Sequence, residues 1–248
     1  MHSESSRFLI SVIIPSLNEE KLIPRTLSQF TPELINKYKI EVIVSDGGST
    51  DSTLKLAERS ADLVLTAKPG AHQNIPIGRN MGAKHARGKY LYFINADTMI
   101  KNTDKFFSKT LSALGNPSAA ALTMKFNVFP SEEKLSDKLF HGFYNSYVFI
   151  LNSIGMGMGR GECQIVKKEF FNKVNGYDES LAAGEDFDLY KRLKKLGKIK
   201  YLGGLVVYES PRRYRKFGYA RVFWDWTKNS ISVFFRHKSV SDKWEPVR

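Results

Sequence analysis

Apolar and polar positions form alternating blocks along the first half of the chain, and these blocks predict strands and helices in turn. Continuous apolar runs are typical of strands buried on both faces, and four of them cover residues 8–15, 40–46, 62–66 and 89–97. The pattern predicts four helical stretches between these strands. The first ends at about Asn36, the second follows the capping residues of GGSTDST, the third covers Ile77–Ala86, and the fourth runs from Asn102 or Thr103 to about Leu114. Repeated strand–helix–strand units predict a mostly parallel sheet flanked by helices.

The second half of the chain is less regular. Residues 119–129 predict a strand, and GECQIVKKEFF predicts a strand that enters a short helix. EDFDLYKRLKKLG predicts a helix, because three acids begin it and Lys and Gly end it, as the helix dipole favours. After Pro211 the spacing predicts a long amphipathic helix. One face would be charged or polar, and the other would carry four apolar residues, Phe217, Trp224, Ile231 and Phe234.

Three polar clusters follow predicted strands, at the point where each strand ends. They are Ser16–Glu20, Asp46–Asp51 and Asn95–Thr98. In open α/β sheets, ligands bind beyond the carboxyl ends of the parallel strands. The sequence therefore predicts that these three loops meet at one edge of the sheet and form a binding site.

The positive charge of the chain is concentrated near its end. The formal net charge is +13, and residues 191–248 carry 16 Lys and Arg against 4 Asp and Glu. Such a region attracts phosphates, nucleic acid or an anionic membrane, or it simply keeps the surface soluble. The one cysteine, Cys163, excludes an intrachain disulfide and fits a reducing compartment. The first ten residues do not resemble a signal peptide, so we expect a cytoplasmic protein.

Residues 139–159 carry no formal charge, which raises the question of a membrane span. The stretch contains His141 together with Asn, Ser and several Gly residues. A spanning helix needs about 20 predominantly apolar residues, and this composition does not provide them. The pattern leaves two interpretations open: a core helix, or an aromatic-rich surface that contacts something apolar.

Three carboxylates in the polar loops suit nucleotide and metal chemistry. Asp97, just past a strand end, suits Mg²⁺ or Mn²⁺ completed by diphosphate oxygens, or else caps a helix. Asp46 suits hydrogen bonds from a base or ribose, or else forms a turn before Gly. Glu19 suits a ribose hydroxyl, or else stabilises the first turn of its helix. The residue types alone leave these alternatives open.

Four segments in this order resemble the family 2 glycosyltransferases of GT-A fold: IIPSLNEE, VIVSDGGSTDST, GRNMGAKHARGKYLYFINADT and GYDESLAAGEDFDLYKRL. The resemblance covers about residues 8–200. It implies a Rossmann-like sheet and inverting transfer of a sugar from a nucleotide diphosphate donor, such as a UDP- or GDP-sugar, with a divalent cation, Mn²⁺ or Mg²⁺, as cofactor.

The resemblance also implies roles for individual residues. Asp46 would face the base and Arg79 would approach the nucleotide, while four residues would line the nucleoside pocket: Pro15, Ser16, Asn18 and Glu19. NADT stands at the family's Asp-x-Asp metal motif, with Asp97 as the metal-binding carboxylate. Asn95 replaces the usual first Asp of that motif. It can bond a ribose or a metal-bound water but brings no charge.

GED stands at the family's acid pair, in which Asp186 would be the catalytic base beside Glu185. A carboxylate in a partly dry cleft can take the proton that an acceptor hydroxyl loses. The alternative is a cap with acids that the helix dipole favours. Arg212 and Arg213 suit the leaving diphosphate, or else form a basic helix start on the surface.

The acceptor side is predicted to lie within residues 125–190, with Glu162 and Gln164 in contact with the acceptor and residues 139–159 nearby. The predicted division is a catalytic domain over 1–210, with a nucleotide-binding half at about 8–115 and an acceptor half at about 116–210. A basic, aromatic helix and tail would follow over 211–248. Its aromatic residues and charges favour either attachment to an anionic membrane surface or packing on the domain.

The predicted function is transfer to a hydroxyl acceptor, a glycan or a lipid-linked glycan. A related alternative is transfer to a polyprenyl phosphate, which is already anionic and needs no base. A sugar-1-phosphate nucleotidyltransferase would have a Gly-rich, Lys-containing loop after the first strand, whereas SLNEE is acidic. A non-catalytic nucleotide or nucleic-acid binder would use the basic tail, but the core shows no interleaved basic and aromatic strand motif for RNA.

Overall fold

The computed structural model describes residues 7–68, 70–241 and 247, and its centre is one mixed sheet. The described residues form eight strands: β1 (Ile10–Ser16), β2 (Ile40–Asp46), β3 (Leu63–Thr66), β4 (Tyr90–Ile94), β5 (Thr98–Ile100), β6 (Ala119–Val128), β7 (Cys163–Lys167) and β8 (Lys198–Glu209). Their order across the sheet is β3-β2-β1-β4-β7-β6-β8-β5. β1 to β4 are parallel, β7 is antiparallel to β4 and β6, and β6 and β8 are again parallel.

Ten helices of the described residues accompany this sheet: α1 (Ile23–Leu27), α2 (Pro32–Tyr38), α3 (Thr53–Ala57), α4 (Ile75–His85), α5 (Thr103–Leu114), α6 (Leu135–Ser153), α7 (Lys168–Lys173), α8 (Glu185–Lys194), α9 (Arg212–Phe217) and α10 (Tyr219–Arg236). The predicted cap of α5 is confirmed, because the Asn102 side chain accepts the Lys105 N–H at 2.9 Å. The predicted Rossmann-like α/β fold with a C-terminal helix is confirmed.

The strands of the first half are buried on both faces, as their continuous apolar runs predict. Ile13, Ile43 and Phe93 on β1, β2 and β4 are fully buried, and each lies in a parallel pair whose register aligns the carboxyl ends of the strands. Ser16 pairs with Asp46 at the ends of β1 and β2. The polar loops after these strands therefore meet at one edge of the sheet.

The predicted long C-terminal helix is interrupted at Gly218, whose positive φ of 77° is a conformation that side chains rarely allow. The break separates α9 from α10, and α10 packs inward through Val222, Asn229 and Val233. The predicted apolar face is therefore packed only in part: Trp224 and Ile231 are 60% and 54% exposed, whereas Phe234 packs against an inner apolar cluster. Tertiary packing selects a different stripe of α10 from the one that apolar spacing favours.

The uncharged stretch of residues 139–159 belongs largely to α6 and the turn that follows it. Tyr144 and Val148 point inward to a small apolar cluster that also contains Phe187 and Val233. The opposite side of α6 is exposed, with Phe143, Phe149 and Ile150 each more than half exposed, so the helix contributes to the core through one face only. None of the helices formed by the described residues is long and apolar enough to cross a membrane.

Candidate active site

A cavity of about 470 Å³ lies at the edge of the sheet where the polar loops meet. The predicted site residues in its wall come from the ends of β1 and β4, from the start of β7 and from α9: Pro15, Ser16, Glu19, Asn95, Asp97, Glu162, Arg212 and Arg213. The structure therefore brings together residues that lie almost 200 positions apart in the chain. A cavity of this volume suits a ligand of nucleotide size.

Asp97 lies within a group of acidic side chains that attract a cation. Burial raises the pKa of Asp97, and the negative charges of Glu19 and Glu162 raise it further, while Arg212 opposes them. Arg212 forms two hydrogen bonds to Glu19, at 2.6 and 3.0 Å, and one to Asp97 at 3.0 Å. The guanidinium thus supplies the positive charge that these carboxylates require.

The acids at this end suit a divalent cation whose coordination is completed by a ligand. The described residues contain no group of three or more His, Cys, Asp or Glu side chains that would hold a metal without help. Asp97 and Glu19 nevertheless offer hard carboxylate oxygens that line the cavity, whereas Glu162 is ion-paired with Arg160, whose Nε lies 3.2 Å from its Oε2. Oxygen-rich sites that use one or two carboxylates plus phosphate oxygens suit Mg²⁺ and related ions.

A second cavity of about 80 Å³ adjoins the first and contains Asp186 in its wall. The two cavities share four lining residues, Ile75, Asn95, Glu162 and Trp226. Burial raises the pKa of Asp186 to about 7, with a further contribution from the negative charge of Glu185. A carboxylate with such a pKa is suited to general-base work near neutral pH.

The start of α8 places the acid pair at the second cavity. Gly184 precedes the helix with φ at +80°, so the chain turns sharply into its first helical residue, Glu185. One Asp186 oxygen accepts the Phe187 N–H at 2.8 Å, within the first turn of α8. The N-cap position itself is Gly184, without a side-chain cap, so Asp186 lies in the acidic first turn of α8 and also lines the cavity.

Arg79 connects Glu185 to the loop after β4. This fully buried guanidinium donates to Glu185 at 2.9 Å, to the Asn95 side chain at 3.1 Å and to the Gly161 carbonyl at 2.5 Å. It lines the smaller cavity and not the larger one, with its charge opposed by Glu185. In this arrangement Arg79 is held by Glu185, and the approach to the nucleotide that the family resemblance implies stays a prediction.

Three of the predicted contact residues are turned away from both cavities. The Asp46 carboxylate accepts hydrogen bonds from Ser16 and from the backbone of Gly48 and Ser49, so it organises its own loop. Asn18 accepts the Thr50 N–H at 2.8 Å and joins the same two loops. Buried Gln164 on β7 accepts the Tyr177 hydroxyl. Asp46 and Asn18 lie behind the part of the cavity wall that is formed by Pro15, Ser45 and Gly47, and their hydrogen bonds hold those loops in place.

Arg160 and Trp226 line the smaller cavity, although the sequence did not predict either residue as part of the site. Arg160 is buried beneath the rings of Tyr144 and Trp226, with its guanidinium 4.9 and 5.6 Å from their centroids, and it pairs with Glu209 at 2.7 Å. A signal for Arg160 exists, because it is the first charge after the uncharged residues 139–159. Trp226 has no such signal among the many aromatic residues of the C-terminal region.

Comparisons with known proteins agree with this geometry. The family model for glycosyl transferase family 2 matches residues 11–174. The chain is 26% identical over 226 residues to the succinoglycan biosynthesis protein ExoA of Rhizobium meliloti, a match that covers 85% of this chain and 67% of the relative.

Two solved structures share the fold. A mannosyltransferase from Pyrobaculum calidifontis, in complex with GDP-Man and Mn²⁺, aligns with a TM-score of 0.67 and 19% identity over 90% of this chain and 61% of its own. Glucosyl-3-phosphoglycerate synthase from Mycobacterium tuberculosis, with Mn²⁺, UDP and glucosyl-3-phosphoglycerate, aligns with a TM-score of 0.57 and 18% identity over 92% and 78%. The chain thus spans between 61% and 78% of the length of these three proteins.

The family model covers well over half of the chain, and the sheet places its matched motifs around one divided cleft. Polar loops at the carboxyl ends of β1, β2 and β4 form that cleft, as expected for a nucleotide-binding α/β fold. The chain therefore belongs to glycosyl transferase family 2 and has the fold of the nucleotide-sugar glycosyltransferases.

Proposed function

We propose that the protein is an inverting glycosyltransferase that moves a sugar from a nucleotide diphosphate donor to a hydroxyl acceptor. The observation that carries this proposal is the pair of adjoining cavities with different chemistry. The larger one has a cation-attracting end at Asp97 and Glu19, and the smaller one has the carboxylate of Asp186. An inverting displacement requires the leaving group and the base to act on opposite faces of the sugar.

In this proposal the larger cavity binds the donor. The nucleoside occupies the part formed by Pro15, Ser16 and Gly47, and the diphosphate lies towards Asp97, Arg212 and Arg213. A divalent cation, Mn²⁺ or Mg²⁺, held by Asp97 would stabilise the negative charge that develops on the leaving diphosphate. The solved relatives that contain Mn²⁺ support this assignment. Arg212 would leave Asp97 and turn to the diphosphate when the donor binds.

The smaller cavity binds the acceptor, and Asp186 removes its proton during attack on the anomeric carbon. Lining charges favour a neutral hydroxyl over a phosphate acceptor. Three acids, Glu162, Glu185 and Asp186, outnumber the two arginines Arg79 and Arg160, and both arginines form ion pairs with carboxylates. An incoming phosphate would meet net negative charge, whereas a hydroxyl would meet a base of suitable pKa.

We further propose that the acceptor is a glycan or a lipid-linked glycan and that the protein works peripherally on the cytoplasmic face of a membrane. The relative ExoA, named for succinoglycan biosynthesis, supports a glycan product. The positive charge of residues 191–248 supports an anionic partner. The acidic surroundings of the cleft give no support to nucleic acid as a ligand.

Donor screening tests the core of the proposal. We expect one member of a panel of UDP- and GDP-sugars to raise the melting temperature in the presence of Mn²⁺, because a ligand specific for the folded state stabilises it. The same donor should be hydrolysed slowly with Mn²⁺ and not with a chelator. If no nucleotide sugar stabilises the protein and none is turned over, the proposed activity is wrong.

A further inference from the structure

Exposed apolar side chains cluster on two helices of this protein. Nine of the eleven large hydrophobic residues that are exposed in the described part of the chain lie on α6, at its C-terminal cap or on α10. These nine residues, here called the α6–α10 surface, are Leu135, Leu139, Phe143, Phe149, Ile150, Ile154, Trp224, Ile231 and Phe235. A concentration of this kind marks a contact with a partner or a membrane.

The residues on α6 form a continuous stripe. At about 100° per residue, Leu135, Leu139, Phe143 and Ile150 fall within an arc of roughly 80° on one side of the helix. The 19 residues of α6 extend over about 28 Å. From residue 139 onwards no charge interrupts this side. The stripe therefore presents a long, uncharged apolar ridge to its surroundings.

The two helices are neighbours, so their exposed residues belong to one surface. The rings of Phe143 on α6 and Phe223 on α10 lie 5.5 Å apart, and those of Tyr144 and Trp226 lie 5.4 Å apart. Phe143 remains 56% exposed in spite of this contact. It joins the stripe of α6 to the contact between the helices.

The inner sides of the same two helices form the wall of the smaller cavity. Tyr144 of α6 and Trp226, Asn229 and Ser230 of α10 line it, next to Asp186. The exposed residues Phe143 and Trp224 are their close neighbours in the chain. Whatever contacts Phe143 and Trp224 is consequently held about one helix diameter from the proposed acceptor site.

The charges around this surface identify its partner. The exposed basic residues on or next to the two helices are Lys134, Lys138, Arg221, Lys228, Arg236 and Lys238. These six basic residues outnumber the acids beside them, Glu132, Glu133 and Asp225. Asp225 contacts Lys228 at 3.1 Å and Arg221 at 3.7 Å, and Glu133 contacts Lys138 at 3.6 Å, so the rim keeps a net positive charge. A second copy of the chain would meet the same positive rim and be repelled. An anionic bilayer offers apolar chains and negative headgroups together.

We propose that the α6–α10 surface inserts into an anionic lipid bilayer and holds the smaller cavity at the membrane interface. The apolar stripe of α6 and the residues Trp224, Ile231 and Phe235 would enter the boundary between headgroups and acyl chains, and the basic residues would bind headgroup phosphates. This position would supply the cavity with an acceptor whose sugar is attached to a lipid, and that part of the proposal rests on the proposed function. The membrane contact itself does not depend on catalysis.

Vesicle co-sedimentation of the full chain tests the membrane contact. We expect the protein to pellet with phosphatidylglycerol-containing vesicles at low salt and to remain in solution with pure phosphatidylcholine vesicles. Raising the salt to about 1 M, where the Debye length is about 3 Å, should release much of the bound protein. No pelleting with anionic vesicles at low salt would overturn the proposal.

A triple variant, Leu139→Ser with Phe143→Ser and Ile150→Ser, tests the α6 stripe. We expect its binding to anionic vesicles to fall by at least about tenfold, because each serine removes apolar area from the membrane contact. Leu196→Ser is the matched control, since Leu196 is exposed but lies outside the surface. It should bind like the unchanged protein. An equal loss of vesicle binding in the triple variant and in Leu196→Ser, or no loss in the triple variant, would contradict the proposal.

Two further measurements separate this proposal from its competitors. Slow donor hydrolysis without vesicles should be the same in the triple variant and the unchanged protein, because the three residues line neither cavity. If hydrolysis is absent from both proteins while vesicle binding follows expectation, the proposed function fails and the membrane contact stands. Sedimentation velocity reports the oligomeric state. A dimer that the triple variant dissociates, without any change in vesicle binding, would assign the surface to a second copy.

Discussion

The two cavities of the cleft hold their charges in different ways. At the larger one, the acids Glu19 and Asp97 are opposed by Arg212, which reaches them from α9 and is partly exposed. At the smaller one, Arg79 and Arg160 are buried and held in ion pairs by Glu185 and Glu209, and Asp186 lies beside them. In the proposed function, the larger cavity would exchange Arg212 for a metal ion, whereas the smaller one would be built in advance around the carboxylate of Asp186.

This difference separates two requirements of group transfer. Negative charge develops on the leaving diphosphate only during the reaction. The donor end would therefore benefit from a metal ion that binds together with the donor and from an arginine that turns to the donor when it binds. A base must have its pKa set beforehand, and rigid burial sets it. Substitutions at the two ends should consequently fail in different ways.

The largest effect is expected at the proposed metal-binding end of the larger cavity. Asp97→Ala should reduce Mn²⁺-dependent donor turnover by about a thousandfold or to background, because the cation loses its protein carboxylate. Donor turnover at several Mn²⁺ concentrations measures this. The control is Asp104→Ala, which removes a surface ion pair with Lys37. Unchanged turnover in Asp97→Ala at matched Mn²⁺ would exclude Asp97 from the site.

Asp186→Asn addresses the smaller cavity alone. The amide keeps the shape of the carboxylate and loses its proton affinity, so transfer to an acceptor should fall by at least about a hundredfold. Donor affinity, measured by thermal shift, should stay nearly the same. Asp188→Asn on the same helix changes an acid that pairs with Arg192 outside both cavities and serves as the control. If transfer survives in Asp186→Asn, the acceptor is a phosphate, and the smaller cavity does not act through a base.

The pH dependence of transfer reports the base directly. As the proposed base, Asp186 would act in its deprotonated form, and burial raises its pKa to about 7. Acceptor kcat/KM should therefore be constant above about pH 7 and fall about tenfold per unit below it. Glu185→Gln removes a negative neighbour, so the falling limb should move to lower pH. A limb near pH 4 in the unchanged protein would contradict a buried base.

Trp226 and Trp224 form a matched pair on α10 that distinguishes the cleft from the outer surface. Trp226 lines both cavities, whereas Trp224 is mostly exposed. Trp226→Ala should raise the acceptor KM by about tenfold through loss of an aromatic contact, with a smaller effect on kcat. Trp224→Ala should leave soluble acceptor kinetics unchanged. Equal kinetic effects of both changes would show that α10 contributes through stability and not through contact.

The sequence by itself determined the framework of the protein. Continuous apolar runs such as Ile40–Asp46 are buried on both faces, which requires helices on both sides of a largely parallel sheet. Parallel pairing then aligns strand ends, so the meeting of the Ser16, Asp46 and Asn95 loops follows from the pattern alone. Local chemistry also gave the cap at Asn102, because a cap depends on neighbouring residues only.

Only the tertiary structure decided what individual polar side chains contact. Asp46 turns into its own loop, while Arg79 crosses to Glu185, a residue 106 positions away. The spacing of α10 allowed several faces to pack, and contacts with α8 and the apolar cluster chose Val222, Asn229 and Val233 and left Trp224 exposed. Periodicity defines which residues share a face of a helix, but the face that is buried depends on distant partners that no local pattern contains.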